Sequence, residues 1–212
     1  MHIADGILQL PVVIGGFAGA GAVTWYSLHR IKHQGDPRER IPRAALLTAT
    51  FFVASLIHLP LPPAGVHLVL NGLLGIMLGW FAFPAILIGL FLQAVMFGHG
   101  GLTSLGVNSL ILGLPALMAW QLFHWQRDVT ATPYRTGWRG LLAGSGALSA
   151  SLVLFMVALL LGLPTAFNRE STLTAMAVIT AAHLPLVIME GVVTGLLAAF
   201  LQRVKPALLR GV

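Results

Sequence analysis

The chain has 212 residues, 57% of them hydrophobic and only 8% charged, with a mean hydropathy of +0.89 and a formal net charge of +6. So much apolar sequence exceeds what a soluble core of this length can cover, and the composition reads as an integral membrane protein. Cysteine is absent, which excludes disulfides, thiolate metal sites and cysteine nucleophiles and leaves imidazole, carboxylate and backbone nitrogen as candidate ligands.

The sequence opens Met1-His2-Ile3-Ala4-Asp5-Gly6. A free Met1 amine, the His2 amide nitrogen and the His2 imidazole close two fused chelate rings around one divalent ion. A deprotonated amide favours tetragonal Ni(II), Cu(II) or Co over tetrahedral Zn, and a fourth ligand is then needed. The ordinary alternative is a solvated histidine on a frayed terminus. Positions 1 to 6 carry no positive n-region and the next apolar run no clear cleavage pattern, so no signal peptide is expected and the N-terminus is expected to be retained. Asp5 and Gly6 make a turn, from which Asp5 is expected to cap the first long helix and, in addition, to support the metal site.

Seven apolar segments follow, near residues 8 to 28, 44 to 60, 66 to 81, 83 to 97, 105 to 124, 139 to 162 and 173 to 203. A spanning helix takes about 20 residues, so the third and fourth, joined at Phe81 to Pro84, are short. All basic residues but Arg169 fall into three clusters: Arg30, Lys32, Arg38, Arg40 and Arg43; Arg127, Arg135 and Arg139; Arg203, Lys205 and Arg210. Short cytoplasmic loops collect Lys and Arg. Seven crossings with every cluster inside put the N-terminus outside and the C-terminus inside. Trp25, Trp80, Trp120, Trp125 and Trp138 then all sit at cytoplasmic helix ends, as interfacial tryptophans do. The basic clusters are separated by long apolar segments, which argues against nucleic acid as a partner. His29, His33 and His124 fall on the cytoplasmic side as interfacial residues. One domain over 1–212 is expected.

On the external side, His67 follows the turn-rich Pro62-Pro63-Ala64-Gly65-Val66 and lies on the same side as His2, so it can supply the fourth nitrogen. Asn71, one turn further on, either supports that imidazole or bonds helix to helix. The island Gly98-His99-Gly100-Gly101-Leu102-Thr103-Ser104-Leu105-Gly106-Val107-Asn108 reads as a loop lining a pocket, with His99, Thr103 and Asn108 as candidate supports and His99 either an entry ligand or a loop histidine. Glu190 is the one acidic residue well inside a crossing and should hydrogen-bond internally. His183 lies two turns away from it, with Pro185 expected to distort the helix between them. His58 is a further histidine on the external side. The chain contains no Gly-x-x-x-x-Gly-Lys-Ser/Thr, His-Glu-x-x-His or Gly-x-Ser-x-Gly, so ATP hydrolysis through a P-loop and the common hydrolytic chemistries are not expected.

Four stretches carry a resemblance. Met-His-Ile-x-Asp-Gly at the start, Pro-Ala-Gly-Val-His-Leu-Val-Leu-Asn-Gly at 63–72, Phe-Gly-His-Gly-Gly-Leu-Thr-Ser-Leu-Gly-Val-Asn at 97–108 and His-Leu-Pro-Leu-Val-Ile-Met-Glu-Gly at 183–191 resemble the NikM/CbiM family. These are substrate-binding S components of energy-coupling factor transporters for nickel and cobalt. The resemblance implies an all-α integral membrane protein of seven transmembrane helices, a six-helix bundle plus an extra N-terminal helix, with the Met1 amine, the His2 amide and imidazole, and His67 as metal ligands. It further implies a transmembrane coupling (T) component, cytosolic ATPase subunits and often a small accessory membrane subunit as partners, and the cell membrane, the inner one in a Gram-negative organism, as location. The Gly-Val-His-Leu-Val form around His67 looks more like nickel members, so Ni(II) is the expected cargo and Co(II) the alternative. A cobalt-specific component serving cobalamin synthesis, a self-contained secondary metal permease and a membrane enzyme using His99 and Glu190 are the rival readings; an enzyme is the weaker class.

Overall fold

Pro11 sits in the first turn of a 23-residue apolar helix, α1 (Leu10–Lys32), where its missing N–H has no helical partner to lose, and His29, Arg30 and Lys32 close the last turn against the negative end of the helix dipole. The computed structural model describes residues 2–61, 64–125, 132–164 and 169–209, with backbone alone at 58–61, 64–66 and 169. Met1, Pro62, Pro63, Arg127, Arg210 and residues 165–168 lie outside the described residues.

After α1 come α2 (Ile41–Ala54), a short antiparallel hairpin of β1 (His58–Leu61) and β2 (Ala64–His67), α3 (Asn71–Leu78), α4 (Ala82–Phe97), α5 (Leu105–His124), α6 (Pro133–Gly162) and α7 (Arg169–Val204). In the hairpin, Leu61 pairs Ala64 and His58 pairs His67. Among the described residues the regular structure is therefore helical apart from the eight residues of the hairpin, and the expected third segment, 66 to 81, is extended at its start and helical only from Asn71.

By length and composition, five stretches among the described residues can cross a membrane: Leu10–Lys32, Asn71–Phe97, Leu105–His124, Pro133–Gly162 and Glu170–Val204; Ile41–Ala54 is a shorter apolar helix. The second of these, 27 residues, is not one straight rod. A helix of that length holds its ends about 40 Å apart, yet the rings of His67 and His99, which flank it, have centroids 5.3 Å apart. The chain folds back at the 3-10 turn Gly79–Phe81, where Gly79 adopts φ 55°, so α3 and α4 form a helical hairpin. Pro185, in contrast, does not interrupt α7, which stays helical through it.

Glycines let these helices touch. A Cβ on Gly75 would lie 1.9 Å from the Ala116 carbonyl oxygen, so α3 meets α5 backbone to backbone. Gly16 faces Val107 and Gly19 faces Leu110, which sets α1 and α5 side by side in the same direction. Gly140 meets Ala198 and Gly144 meets Thr194, which sets α6 and α7 antiparallel. Such close approach is how helices associate where no hydrophobic force drives them together.

Two ends result. At one end lie the N-terminal segment, the β-hairpin and the loop after α4, and the Gln9 N–H donates to the Gly162 carbonyl at 2.8 Å. At the other end Arg43 donates to the Leu208 carbonyl, His124 Nε2 lies 3.0 Å from the Leu209 carbonyl, Trp80 packs edge-on to Trp120, and Arg30 stands 5.5 Å over the Trp80 ring. Leu10, Trp25, Leu142, Leu161 and Leu196, on α1, α6 and α7, are each at least 65% exposed, an apolar lateral surface of the kind a bilayer covers.

Candidate metal centre

Three histidines from three parts of the chain converge at the first end. The His2 and His67 rings stack with centroids 5.1 Å apart and planes 26° apart, and the His99 ring stands edge-on to both at 5.3 Å. One nitrogen from each lies within 4.8 Å of the others. An ion about 2.0 Å from each nitrogen sets cis ligands about 2.8 Å apart and trans ligands about 4.0 Å apart. The three nitrogens are thus close enough to one another to be drawn onto a single ion.

His2 reaches this point because the segment behind it is bolted down. Ile3 is 1% exposed, its N–H donates to Asn108 Oδ1 at 2.9 Å, and its carbonyl accepts from Asn108 Nδ2 and from the Ser104 hydroxyl. Asp5 accepts from the Leu102 N–H and from both the N–H and the hydroxyl of Thr103. It does not cap α1, which begins five residues later at Leu10 with Gln9 as N-cap and no side-chain cap. The acceptor is spent instead on the loop entering α5. Gly101 permits this contact, since a Cβ there would lie 2.2 Å from Asp5 Oδ1.

Both ring nitrogens of His2 are buried with no hydrogen-bond partner among the described residues. Burial, followed by the charges of its neighbours, His67 and His99 among them, holds this imidazole well below the usual histidine range, so it stays neutral with a lone pair to offer. The Asp5 carboxyl is held below its usual range by the Thr103 hydroxyl first and then by backbone N–H groups, so it remains an acceptor.

His67 ends β2 and is 5% exposed. Its Nδ1 lies 3.1 Å from the Leu68 carbonyl. A carbonyl only accepts, so a hydrogen bond here requires the tautomer with the proton on Nδ1 and the lone pair on Nε2. His99 follows Gly98, which leaves α4 with φ 61° while its N–H still reaches the Ala94 carbonyl; Gly100 (φ 80°) then turns the chain past His2.

The structure gathers His2, His67 and His99, with Asp5, Thr103 and Asn108 holding the N-terminal segment in place. Asn71 has another role. His67 is extended and α3 starts at Asn71, so the two share no helix face; the Asn71 amide donates to the Leu112 carbonyl and the Ser151 hydroxyl, joining α3 to α5 and α6. Among the supports, Ser104 has no distinguishing signal in the sequence. It occupies the N-cap position of α5, but its hydroxyl donates to the Ile3 and Gly101 carbonyls and accepts from the Asn108 amide, and it caps no backbone N–H of the helix. His183 bonds the Ile179 carbonyl within its own helix. Glu190 bonds the backbone of Val69 and Leu70.

A family model described as the cobalt uptake substrate-specific transmembrane region, CbiM, matches residues 2–208. A protein of Haemophilus influenzae named as a metal transport protein is 34% identical over 92% of this chain and 89% of its own. The cobalt transport protein CbiM of Sorangium cellulosum is 30% identical over 99% of this chain and 94% of its own. The fused nickel transport protein NikMN of Rhodobacter capsulatus is 34% identical over 68% of this chain, a match that spans 39% of that fused protein. The fold is similar to crystal structures described as a transition metal transporter (TM-score 0.80, 24% identity, covering 97% of this chain and 94% of that one) and a truncated transition metal transporter (TM-score 0.79, 22% identity, covering 96% and 99%).

Proposed function

Since the chain belongs to the CbiM family and is a multi-pass membrane protein of cobalt and nickel transport rather than an enzyme, we propose that it is the substrate-binding S component of an energy-coupling factor transporter and that it captures external Ni(II). The observation that carries this reading is the meeting of His2, His67 and His99 at one end of a cysteine-free helical bundle. In this reading a free Met1 amine, the His2 amide and imidazole and His67 Nε2 form a near-planar four-nitrogen site. His99, edge-on to both rings, is the ligand met on entry. Asp5, Thr103 and Asn108 lock the N-terminal segment once the ion is in.

The reading takes all seven helices as crossings, the α3–α4 hairpin supplying two, with the histidine end outside and the C-terminus in the cytoplasm. The alternation of helix directions supports it, as does the position of Arg30, Arg43 and Arg203 at the end opposite the histidines. Release is assigned to partners: a transmembrane coupling protein, cytosolic ATPase subunits and a small accessory membrane subunit. The location is the cell membrane, the inner one in a Gram-negative organism, and the 212 residues act as one domain.

Cobalt is the second reading, favoured by the family description and by the Sorangium relative. Titration of the purified chain with an untagged N-terminus separates the two. Ni(II) is expected to bind more tightly than Co(II) and far more tightly than Zn(II), since only tetragonal ions gain from an amide ligand. One residue added before Met1 is expected to abolish tight binding, and His67→Ala to weaken it by orders of magnitude. Zn(II) competing equally with Ni(II), or full affinity in the extended chain, overturns the proposed chelate.

A further inference from the structure

Glu190 is 1% exposed in the middle of α7, and its carboxyl group is turned onto backbone. The Val69 N–H donates to Oε1, and the Leu70 N–H lies 2.9 Å from both oxygens. Leu70 is the only non-glycine residue with positive φ among the described residues, at φ 54° and ψ 18°. Two successive N–H groups around a left-handed residue form a concavity suited to an acceptor or anion. Here a side chain from another helix fills it.

The Val69 N–H shares one peptide unit with the Leu68 carbonyl, and that carbonyl is the acceptor of the His67 Nδ1 proton. A peptide unit is rigid and planar, so fixing its N–H fixes where its carbonyl points. The order is therefore Glu190 carboxyl, Val69 N–H, Leu68 C=O, His67 Nδ1–H and finally the Nε2 lone pair. Metal-bound imidazoles are commonly held through their second nitrogen by a carboxylate or by a backbone carbonyl. In this chain the two stand in series, and hydrogen bonds in series polarise one another.

We infer that Glu190 is a positioning residue for metal capture, setting the orientation, tautomer and basicity of His67 through the Leu68–Val69 peptide. This rests on His67 being a ligand, as proposed above. It also links the site to α7: movement of that helix against α3 reaches His67 without touching the ion.

The test compares Glu190→Gln with Leu186→Ala. Glutamine keeps the size of the side chain, but in either orientation its NH2 opposes the Leu70 N–H, which drives the amide off the Val69–Leu70 turn and loosens the Val69 N–H with it. Leu186 is 0% exposed one turn earlier in α7, so its truncation removes core packing but none of the hydrogen bonds to Val69 and Leu70. In metal-free protein labelled with 15N-histidine, wild type and Leu186→Ala should show His67 protonated on Nδ1, and Glu190→Gln a mixture of tautomers. Nickel affinity should fall about 10- to 100-fold in Glu190→Gln and stay near wild type in Leu186→Ala. If the glutamine variant does not fold, Glu190→Asp, which withdraws the carboxyl by one methylene, is read the same way. A wild-type tautomer and affinity in the Glu190 variant overturns the inference, as does an equal affinity loss in Leu186→Ala. Wild-type protein whose nickel binding is indifferent to His67→Ala refutes the metal site instead, and the metal-free tautomer measurement still decides what Glu190 does.

Discussion

Asp5 does for the N-terminal segment what a helix cap does for a helix, but across 97 and 98 residues of sequence. Its oxygens satisfy N–H groups of the loop entering α5, and the space for it exists because position 101 has no Cβ. Gly101→Ala should therefore unseat the segment while leaving the bundle folded, and Asp5→Ala should do the same more mildly. Hydrogen exchange at the Ile3 amide, which donates to Asn108, reads this directly: protection should drop in both variants, and unchanged protection would contradict the dock. The same amide reports the state of His2. Docked His2 resists protonation because it is buried, whereas an undocked histidine takes a proton below about pH 6.5. The undocked form thus binds more protons as pH falls, and docking should weaken from about pH 7 towards about pH 5. Asp5, held below its usual range, stays ionised in that window, so the loss should vanish in His2→Gln.

The helical hairpin of α3 and α4 is what brings His67 and His99 together. α3 has only eight residues and enters through Leu70, a left-handed leucine that costs about 1–2 kcal/mol on its own. Its contact with α5 at Gly75 leaves no room for a side chain, so Gly75→Ala should lower the stability of the fold by about 1–3 kcal/mol. Thermal unfolding in detergent checks this, and an unchanged midpoint would contradict the packing. Sequence patterning identifies α1, α5, α6 and α7 because each carries one long apolar run. It does not separate the extended stretch before Asn71 from the helix after it, since short apolar runs carry no period that tells strand from helix. Among site residues, His2, His67 and His99 stand out as histidines at one end of the bundle. The partners of Asp5 and Glu190 do not, because each bond joins residues on the order of a hundred positions apart and no local spacing encodes it.

The bundle keeps its histidine cluster at one end and its basic residues mainly at the other, with an apolar lateral surface between them. The buried polar groups Asn71, Ser151 and Glu190 are each engaged with neighbouring helices or backbone. That arrangement suits capture better than unaided passage. Vesicles containing this chain alone should bind Ni(II) without accumulating it, and accumulation without ATPase partners would favour a self-contained permease. The most direct measurement is nickel-edge X-ray absorption on the loaded, untagged protein. Capture by the terminal amine, the His2 nitrogens and His67 predicts a near-planar shell of four nitrogens that loses one imidazole in His67→Ala; a six-coordinate shell dominated by oxygen, or a spectrum indifferent to that substitution, would contradict it.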